Sequence, residues 1–381
     1  MLESLKEIRK INDDFPYSAY LKEAKEEGKK VVGWACNYVP EEIILAADMI
    51  PTRVMGGIGE IKMEEATAFL NIYTCPFTRT LLQLMIDKKY DFLDGFVNCG
   101  ICDGMRRLGD AFPFHTDVPV LYTVSLPHKM DDEAVKFYAD ELEIIIGKLE
   151  KDYGASVTDE SLTDAINTYN RSRQLLKKLY SMRKDGTPPL YGYEVQEILN
   201  AMMATPIRKF LPMLESIISE IEEKKPEARG DFRLMLSGSV MNNHEFIKGI
   251  EDLGGVVVID SLCNGTRYWW GEINVEGFSS PLEAIADYYL KKFPCPRMYP
   301  SEDRFDIMTD LAGEYHVDGM IASIIRYCSI HIFDAPRIRD RIKDMGIPVL
   351  TLDVEYGEGM SGQVKTRVQA FMEMLAERKG K

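Results

Sequence analysis

The sequence has no apolar run long enough to cross a membrane and no excess of basic residues. No apolar stretch approaches the roughly 18 residues that a spanning helix needs, and the first residues lack the basic and then apolar pattern of a secretory signal. The 46 basic residues are outnumbered by 61 acidic ones, which gives a formal net charge of −15. We therefore expect a cytoplasmic protein that binds neither membranes nor nucleic acid, although a local basic pocket for an anionic cofactor is compatible with this balance.

Cysteine is scarce, with seven residues in a chain of 381. A disulfide framework is a poor interpretation of such a chain, because cytosolic thiols are kept reduced. Two interpretations remain for these cysteines, namely inert thiols in the core and metal ligands.

Apolar runs of the buried-strand type alternate with stretches of helical periodicity, which indicates parallel, doubly wound sheets. We predict an α/β fold with two such lobes joined by helices, since one core rarely exceeds about 250–300 residues. The predicted units are N-terminal helices plus a first lobe over 1–130, a helical connector over 131–230 and a second lobe over 231–381. The predicted strands are 31–35, 52–55, 92–97, 118–124, 232–236, 256–259, 320–325 and 349–354.

Six of the cysteines fall at the ends of predicted elements rather than inside them. They are Cys36, Cys75, Cys102, Cys263, Cys295 and Cys328. The carboxyl ends of parallel strands line the ligand crevice of open α/β sheets, so cysteines from both lobes can converge on one cleft. Inert core thiols would more often lie within the apolar runs, and this placement therefore favours ligands.

The spacing of the cysteines does not identify the metal. Zinc sites usually contain close C-x2-C pairs, and the one such pair is Cys99-Gly100-Ile101-Cys102. That pair is compatible with half of a zinc site, whereas the other cysteines are isolated along the chain.

The segment 33–51, which contains Cys36, resembles the opening signature of the 2-hydroxyacyl-CoA dehydratase and benzoyl-CoA reductase family. Further matching motifs are Cys75-Pro76, Gly100-Ile101-Cys102-Asp103-Gly104, the segment 261–268 around Cys263, Cys295-Pro296-Arg297, Arg326-Tyr327-Cys328 and the segment 362–371. The resemblance spans nearly the whole chain. It is strongest to the double-cubane cluster proteins, a branch that is similar in having all six cysteines.

The resemblance implies an iron–sulfur reductase component that holds an 8Fe-9S double-cubane cluster. It assigns Cys75, Cys102 and Cys328 to one cubane and the other three cysteines to the second, although a division by lobe stays open at this point. Six thiolates suit eight irons, because three irons of each cubane take a thiolate and the fourth takes a bridging sulfide. Cys99 falls outside this pattern and is interpreted as a spare buried thiol.

The resemblance also implies partners. Members receive low-potential electrons from an ATP-hydrolysing 4Fe-4S activator, and this branch implies a homodimer that reduces small molecules. The sequence has no phosphate-binding G-x4-G-K-[ST] motif, and its cluster Gly56-Gly57-Ile58-Gly59 has no Lys-Ser or Lys-Thr after it. ATP would therefore be used by the partner.

Reduction of a small molecule needs protons as well as electrons, so a titratable group must lie near the cluster. The catalytic candidates are Glu41, Glu42 and His331, and Asp103 and Arg267 also lie near cysteines. Glu41 and Glu42 are equally compatible with first-turn acids that a helix dipole favours, and His331 with an ordinary core or surface histidine.

Two other functions fit the same fold. One is a subunit of a 2-hydroxyacyl-CoA dehydratase or benzoyl-CoA reductase, with a single 4Fe-4S cluster and an acyl-CoA substrate. The other is a cluster-bearing electron carrier or scaffold without catalysis of its own.

Overall fold

The computed structural model describes residues 2–57, 59 and 61–380. Its strands form two four-stranded sheets, and every pairing within them is parallel. The first sheet contains β1 (Val31–Trp34), β2 (Ile50–Arg53), β3 (Gly95–Cys99) and β4 (Val120–Val124). The second contains β5 (Phe232–Gly238), β6 (Gly255–Ser261), β7 (Gly319–Ile325) and β8 (Val349–Val354). The predicted α/β fold with two doubly wound lobes is confirmed.

Both sheets have the same topology. The strand order is β2-β1-β3-β4 in the first and β6-β5-β7-β8 in the second. In each sheet the second strand is added on one side of the first, and the third and fourth strands are added on the other side. This reversal leaves a crevice at the carboxyl ends of the two central strands. The fold therefore provides two such crevices.

Helices surround and connect the sheets. In the first lobe they are α1 (Leu5–Asp13), α2 (Ala19–Glu26), α3 (Glu41–Ala46), α4 (Glu64–Phe69), α5 (Pro76–Ile86) and α6 (Asp103–His115). Between the sheets lie α7 (Asp132–Tyr153), α8 (Asp159–Ser181), α9 (Gly192–Met203) and α10 (Ile207–Lys224). The remaining helices are α11 (His244–Glu251), α12 (Thr266–Trp269), α13 (Pro281–Lys291), α14 (Glu302–Glu314), α15 (Ser329–Asp344) and α16 (Gly362–Lys379).

Prolines shape two parts of the helical connector. The stretch 193–223 forms two helices, α9 and α10, with Pro206 at the N-cap of α10, where its missing N–H costs no helical hydrogen bond. Pro212 lies inside α10 without ending it. Residues 188–191 form no strand, because Pro188 and Pro189 cannot donate to a ladder.

The lobes are joined by packed helices and by buried polar contacts. Helix α3 packs on α8, and α7 packs on α13 of the second lobe. Arg53, at the end of β2, donates from Nη1 to the Cys263 carbonyl at 3.0 Å. The Tyr38 hydroxyl accepts the Cys295 N–H at 3.0 Å. No described helix is both long and apolar enough to span a bilayer.

Candidate cofactor site

The six predicted cysteines line one cavity between the two lobes. It encloses about 790 Å³ of space, counting its open mouth. The cysteines that line it are Cys36, Cys75, Cys102, Cys263, Cys295 and Cys328. Each lobe contributes three of them, as expected from their positions at the ends of strands and helices.

Three of these cysteines, Cys75, Cys102 and Cys328, begin helices, and we call them the capping set. They are the N-cap residues of α5, α6 and α15 respectively. Backbone N–H groups of the first turn of α5, those of Phe77 and Thr78, lower the pKa of Cys75, although the sulfur accepts no capping hydrogen bond. Free N–H groups and the dipole at a helix start favour negative charge, so this arrangement suits a thiolate.

Helices α6 and α15 place their cysteines in the same way. The N–H groups of Gly104 and Met105 limit the rise in the pKa of Cys102, and the N–H of His331 does the same for Cys328. Neither sulfur accepts a capping hydrogen bond.

The other three cysteines, Cys36, Cys263 and Cys295, lie beside basic side chains, and we call them the arginine set. Cys36 follows β1, Cys263 follows β6 and Cys295 lies in the loop after α13. The basic residues that line the same cavity are Arg53, Arg267 and Lys292. All three are buried, with 1%, 2% and 7% of their surface exposed.

Several hydrogen-bond donors in this wall have no partner in the described part of the protein. Arg267 donates from Nη2 to the Gly238 carbonyl, while its Nε and Nη1 have no partner among the described residues. Arg53 Nε and Ser239 Oγ are likewise buried without a partner there. Buried donors are nearly always paired in native proteins, so these atoms indicate that an acceptor normally lies in the cavity.

No aspartate or glutamate is among the described residues that line the cavity. Burial raises the pKa of Cys263, and it raises the pKa of Cys102 and of Cys295 to about 12. Arg267 and Arg53 partly offset this effect at Cys263, as does Arg267 at Cys295. The thiolates would therefore need the positive charge of a bound metal to persist in this cavity.

The cysteines of each set interact with one another. In the capping set, a hydrogen bond from the Cys328 thiol lowers the pKa of Cys75, and the charges of Cys75 and Cys102 also interact. Cys102 interacts with Cys328 as well. In the arginine set, all three pairs interact electrostatically. Two interactions cross between the sets, Cys36 with Cys102 and Cys263 with Cys328.

Cys99 does not line the cavity. It is the last residue of β3 and is fully buried. A hydrogen bond between the two thiols lowers the pKa of Cys36 and raises that of Cys99. Its position is that of a core thiol next to the site.

The donor set fits an anionic, sulfur-ligated group better than a single ion. Within residues 2–57, 59 and 61–380, no three His, Cys, Asp or Glu side chains form a group that could bind one metal ion. In an iron–sulfur cluster each cysteine binds a different iron, so its ligands need not converge on one point. Six thiols that line one cavity, N–H donors without a partner among the described residues and a wall without carboxylates meet that requirement.

Glu41 and Glu42 are buried in the first turn of α3 and are not among the residues that line the cavity. Glu41 accepts from the hydroxyls of Tyr268 at 2.5 Å and Tyr169 at 3.2 Å. Burial raises the pKa of Glu41 to about 7, and these hydrogen bonds limit the rise. Glu42 forms an ion pair with Arg173 at 2.5 Å.

His331 does line the cavity, whereas Asp103 is exposed at the start of α6. Burial, together with the charges of Arg267 and Arg304, holds the pKa of His331 well below its usual range. The imidazole is therefore neutral at pH 7. Asp103 pairs with Arg107 one turn along the helix at 3.5 Å.

Arg53 and Lys292 are cavity residues that were not predicted from the sequence. Arg53 ends a strand, and polar residues at strand ends were a usable signal. Lys292 follows α13 at a place where a lysine usually marks a solvated helix end. Its Nζ instead lies 4.0 Å from the ring centroid of Tyr289, and burial lowers the pKa of Lys292 to about 7.

Comparison with known proteins extends over almost the whole chain. The family model for the D-component of 2-hydroxyglutaryl-CoA dehydratase matches residues 36–375, a range that includes all six cysteines of the cavity. The (R)-phenyllactyl-CoA dehydratase beta subunit of Clostridium sporogenes is 24% identical over 366 residues, which cover 94% of this chain and 96% of the relative.

Two further relatives have the same degree of similarity. One of the subunits of benzoyl-CoA reductase from Thauera aromatica is 24% identical over 375 residues, which cover 95% of each chain. The beta subunit of (R)-2-hydroxyglutaryl-CoA dehydratase from Acidaminococcus fermentans is 24% identical over 358 residues, which cover 92% of this chain and 94% of the relative.

Proposed function

This chain belongs to the 2-hydroxyglutaryl-CoA dehydratase D-component family, and on that premise we propose that it is the iron–sulfur component of a low-potential reductase. In this proposal the six cysteines of the cavity hold an 8Fe-9S double-cubane cluster. Electrons arrive from a separate ATP-hydrolysing 4Fe-4S activator and reduce a small molecule. The predicted family is confirmed, while its double-cubane branch stays a prediction.

The observation that carries the proposal is that six cysteines from both lobes line one cavity. Each cubane of such a cluster needs three thiolates. The electrostatic interactions within the capping set and within the arginine set favour the division into Cys75, Cys102 and Cys328 on one side and Cys36, Cys263 and Cys295 on the other. A division by lobe would pair Cys295 with Cys328 and Cys36 with Cys75, and in neither pair is one cysteine among the main influences on the other.

When bound, the cluster would supply storage for electrons at low potential. The residues of the chain hold it and control its surroundings. Three helix starts place N–H groups beside the capping set, and Arg53 and Arg267, which line the cavity, have buried nitrogen atoms without a partner among the described residues. Phe77, Ile101 and Phe293 are the apolar walls that limit the access of water.

Of the three predicted proton carriers, His331 is the one that lines the cavity. A neutral imidazole can accept a proton from solvent and pass it on, so we propose His331 as the group that relays protons to the substrate. Glu41 and Glu42 would have to act through Tyr268 and Arg173, which separate them from the cavity residues.

Five exposed apolar side chains lie within five residues of Cys75 or Cys328 in the sequence. They are Ile72, Tyr73, Tyr327, Ile332 and Phe333, which we call the seam patch, with Phe333 81% exposed. Tyr73 of the first lobe and Tyr327 of the second meet edge to face at 5.4 Å between ring centroids. Exposed apolar patches of this kind mark interaction sites, and this one lies next to Cys75 and Cys328 in sequence. We propose it as the docking surface of the activator.

The seam patch can be tested by Phe333→Glu. We expect slower ATP-dependent reduction of this protein by its activator, because a charge would be buried on docking, with no change in iron content. The exposed Phe137 on α7 provides the matched control Phe137→Glu, which should leave the reduction rate unchanged. Equal effects of the two variants would contradict the assignment.

The names of the relatives favour a second function. They are subunits of dehydratases and of a reductase for CoA thioesters. This chain would then be one such subunit, with a single 4Fe-4S cluster held by the capping set, an acyl-CoA substrate and a second, different subunit.

Iron and acid-labile sulfide counts on anaerobically purified protein separate the two functions. About eight irons per chain support the double-cubane cluster and about four support the single cluster. Bound zinc with almost no iron would contradict both.

Cys263→Ser adds a test within the chain. The double-cubane function predicts a loss of about half of the iron or more, whereas the single-cluster function predicts little loss. Cys99→Ser is the matched control, since Cys99 is a buried cysteine outside the cavity, and its iron content should equal that of the wild type under either function.

A further inference from the structure

The two sets of cysteines lie in electrically different surroundings. The capping set has backbone N–H donors, and each helix start carries a partial charge of about +0.5. The arginine set has buried side chains with full charges. Arg53 acts on Cys36 and Cys263, and Arg267 acts on Cys263, Cys295 and Cys328. Neither arginine is among the main influences on Cys75 or Cys102.

Arg267 is the stronger of the two candidates for controlling this difference. It lies in α12, one turn of chain after Cys263, and only 2% of its surface is exposed. One of its nitrogens is fixed by the Gly238 carbonyl, while Nε and Nη1 have no described partner. Arg53 is held more fully, by the Cys263 carbonyl at 3.0 Å and by the Trp34 ring at 4.9 Å.

A buried positive charge stabilises whichever oxidation state is more negative. Adding an electron to an iron–sulfur group makes it more negative, so a nearby guanidinium favours the reduced form. Hydrogen bonds to the sulfurs act in the same direction. All six cysteines are partly exposed, so the full charges of Arg53 and Arg267, rather than exposure, distinguish the arginine set from the capping set.

We propose that Arg267 holds the half of the cluster bound by the arginine set at a higher reduction potential than the half bound by the capping set. This inference rests on the proposed double-cubane function. One electron would leave iron beside the capping set, which is oxidised, and arrive at iron beside the arginine set, which is reduced. No bond or proton changes place in that step. Arg267 acts here through its positive charge and takes no part in a chemical step.

The test is a redox titration followed by EPR on Arg267→Met, with iron counted in the same samples. We expect two reduction steps in the wild type. In Arg267→Met the step at the higher potential should move to lower potential. Its equilibrium constant should change at least tenfold, which corresponds to about 59 mV for one electron. The lower step should stay in place.

Arg183→Met is the matched control. Arg183 is also 2% exposed and also donates from Nη2 to a backbone carbonyl, that of Val257. Its Nε likewise has no partner among the described residues, but Arg183 does not line the cavity. Its potentials should equal those of the wild type. Arg267→Lys keeps the positive charge but lacks the planar guanidinium. The shift of its higher reduction potential should therefore be less than half that of Arg267→Met. This variant replaces Arg267→Met if the methionine variant does not fold.

The outcomes distinguish the role of Arg267 from the proposed function. Suppose that the protein holds eight irons per chain and shows two reduction steps. If both steps then shift together in Arg267→Met, or if neither shifts, the role of Arg267 is overturned and the proposed function stands. Four irons with a single step in the wild type would overturn the proposed function and this inference with it.

Discussion

Glu41 and Glu42 are neighbours in the first turn of α3, yet their buried carboxylates have different partners. Glu42 is neutralised by Arg173, whereas Glu41 accepts only from tyrosine hydroxyls in the contacts described above. Both are acids in the first turn, as one interpretation of the sequence had them, and the structure shows that both are also buried. A buried carboxylate without a cation is costly in its charged form, which is why the pKa of Glu41 rises to about 7.

Glu41→Gln should make the protein less sensitive to alkaline pH. The folded-state pKa of Glu41 lies above its unfolded value of 4.5, so the stability that it contributes is present below pH 4.5 and is lost as the pH rises through 7. Urea denaturation at pH 5 and pH 8 should show that the variant loses less stability over this interval than the wild type. The difference should be on the order of 3 kcal/mol.

Glu133→Gln is the control, because Glu133 is an exposed acid in the first turn of α7. It should change stability by less than about 0.5 kcal/mol at both pH values. If Glu41→Gln loses as much stability between the two pH values as the wild type, the carboxyl of Glu41 does not titrate as described.

The positions of the six cysteines at the ends of strands and helices could be predicted, because such ends leave a local pattern in the sequence. The neighbours Arg53 and Lys292 were missed because their burial depends on how the two lobes pack against each other. That packing is set by residues far away in the chain, and Lys292 owes its burial to it as well as to the tyrosine ring over which it lies.

The elements themselves were largely predictable, since buried parallel strands are short apolar runs. The strand Val349–Val354 has the predicted bounds, and the others differ by a few residues at their ends. The short α12 was not predicted. Its start depends on Asp260, whose carboxylate accepts the N–H groups of Leu262 at 3.0 Å and Thr266 at 2.7 Å, a contact that no periodic pattern reveals.

Gly265→Ala should disrupt this turn between β6 and α12. A Cβ at Gly265 would lie 2.0 Å from Oδ1 of Asp260, and that carboxylate cannot move away because Tyr180 also donates to it at 2.6 Å. We expect a loss of about 2–4 kcal/mol in the free energy of unfolding, measured by urea denaturation.

The matched substitution is Gly147→Ala in α7, where a Cβ would meet nothing within 4 Å. It should stabilise the protein by roughly 0.5–1 kcal/mol, since alanine is the better helix former. A Gly265→Ala protein as stable as the wild type would show that the turn around Asp260 can rearrange freely.

At the scale of the whole molecule, the two lobes repeat one topology and share a buried polar seam. The Tyr356 hydroxyl of the second lobe accepts the Gly56 N–H at 2.9 Å and donates to Asn242 at 2.7 Å. Asn242 in turn donates to the Gly56 carbonyl. The two-lobe arrangement followed from the order of strands and helices, but these cross-lobe contacts could not be derived from it.

Tyr356→Phe should lower the free energy of unfolding by about 1–3 kcal/mol, because two buried polar groups lose their partner. Unfolding should stay a single transition in both proteins, as other contacts still join the lobes. Tyr191→Phe is the control, since its hydroxyl contacts Arg229 at a part-exposed position, and its cost should be below about 1 kcal/mol. Two separate transitions in urea, followed by circular dichroism and fluorescence, would show that the lobes fold independently.

The spread of the cavity along the chain has a consequence for synthesis. Its walls run from Ala35 to His331, and Cys328, which α15 places, is made 292 residues after Cys36. Chains emerge at about 5–20 residues per second, so the early thiols wait unprotected for many seconds before the last wall arrives. Assembly of the site is therefore a step that follows translation, and a stalled or truncated chain exposes reactive sulfur without being able to enclose it.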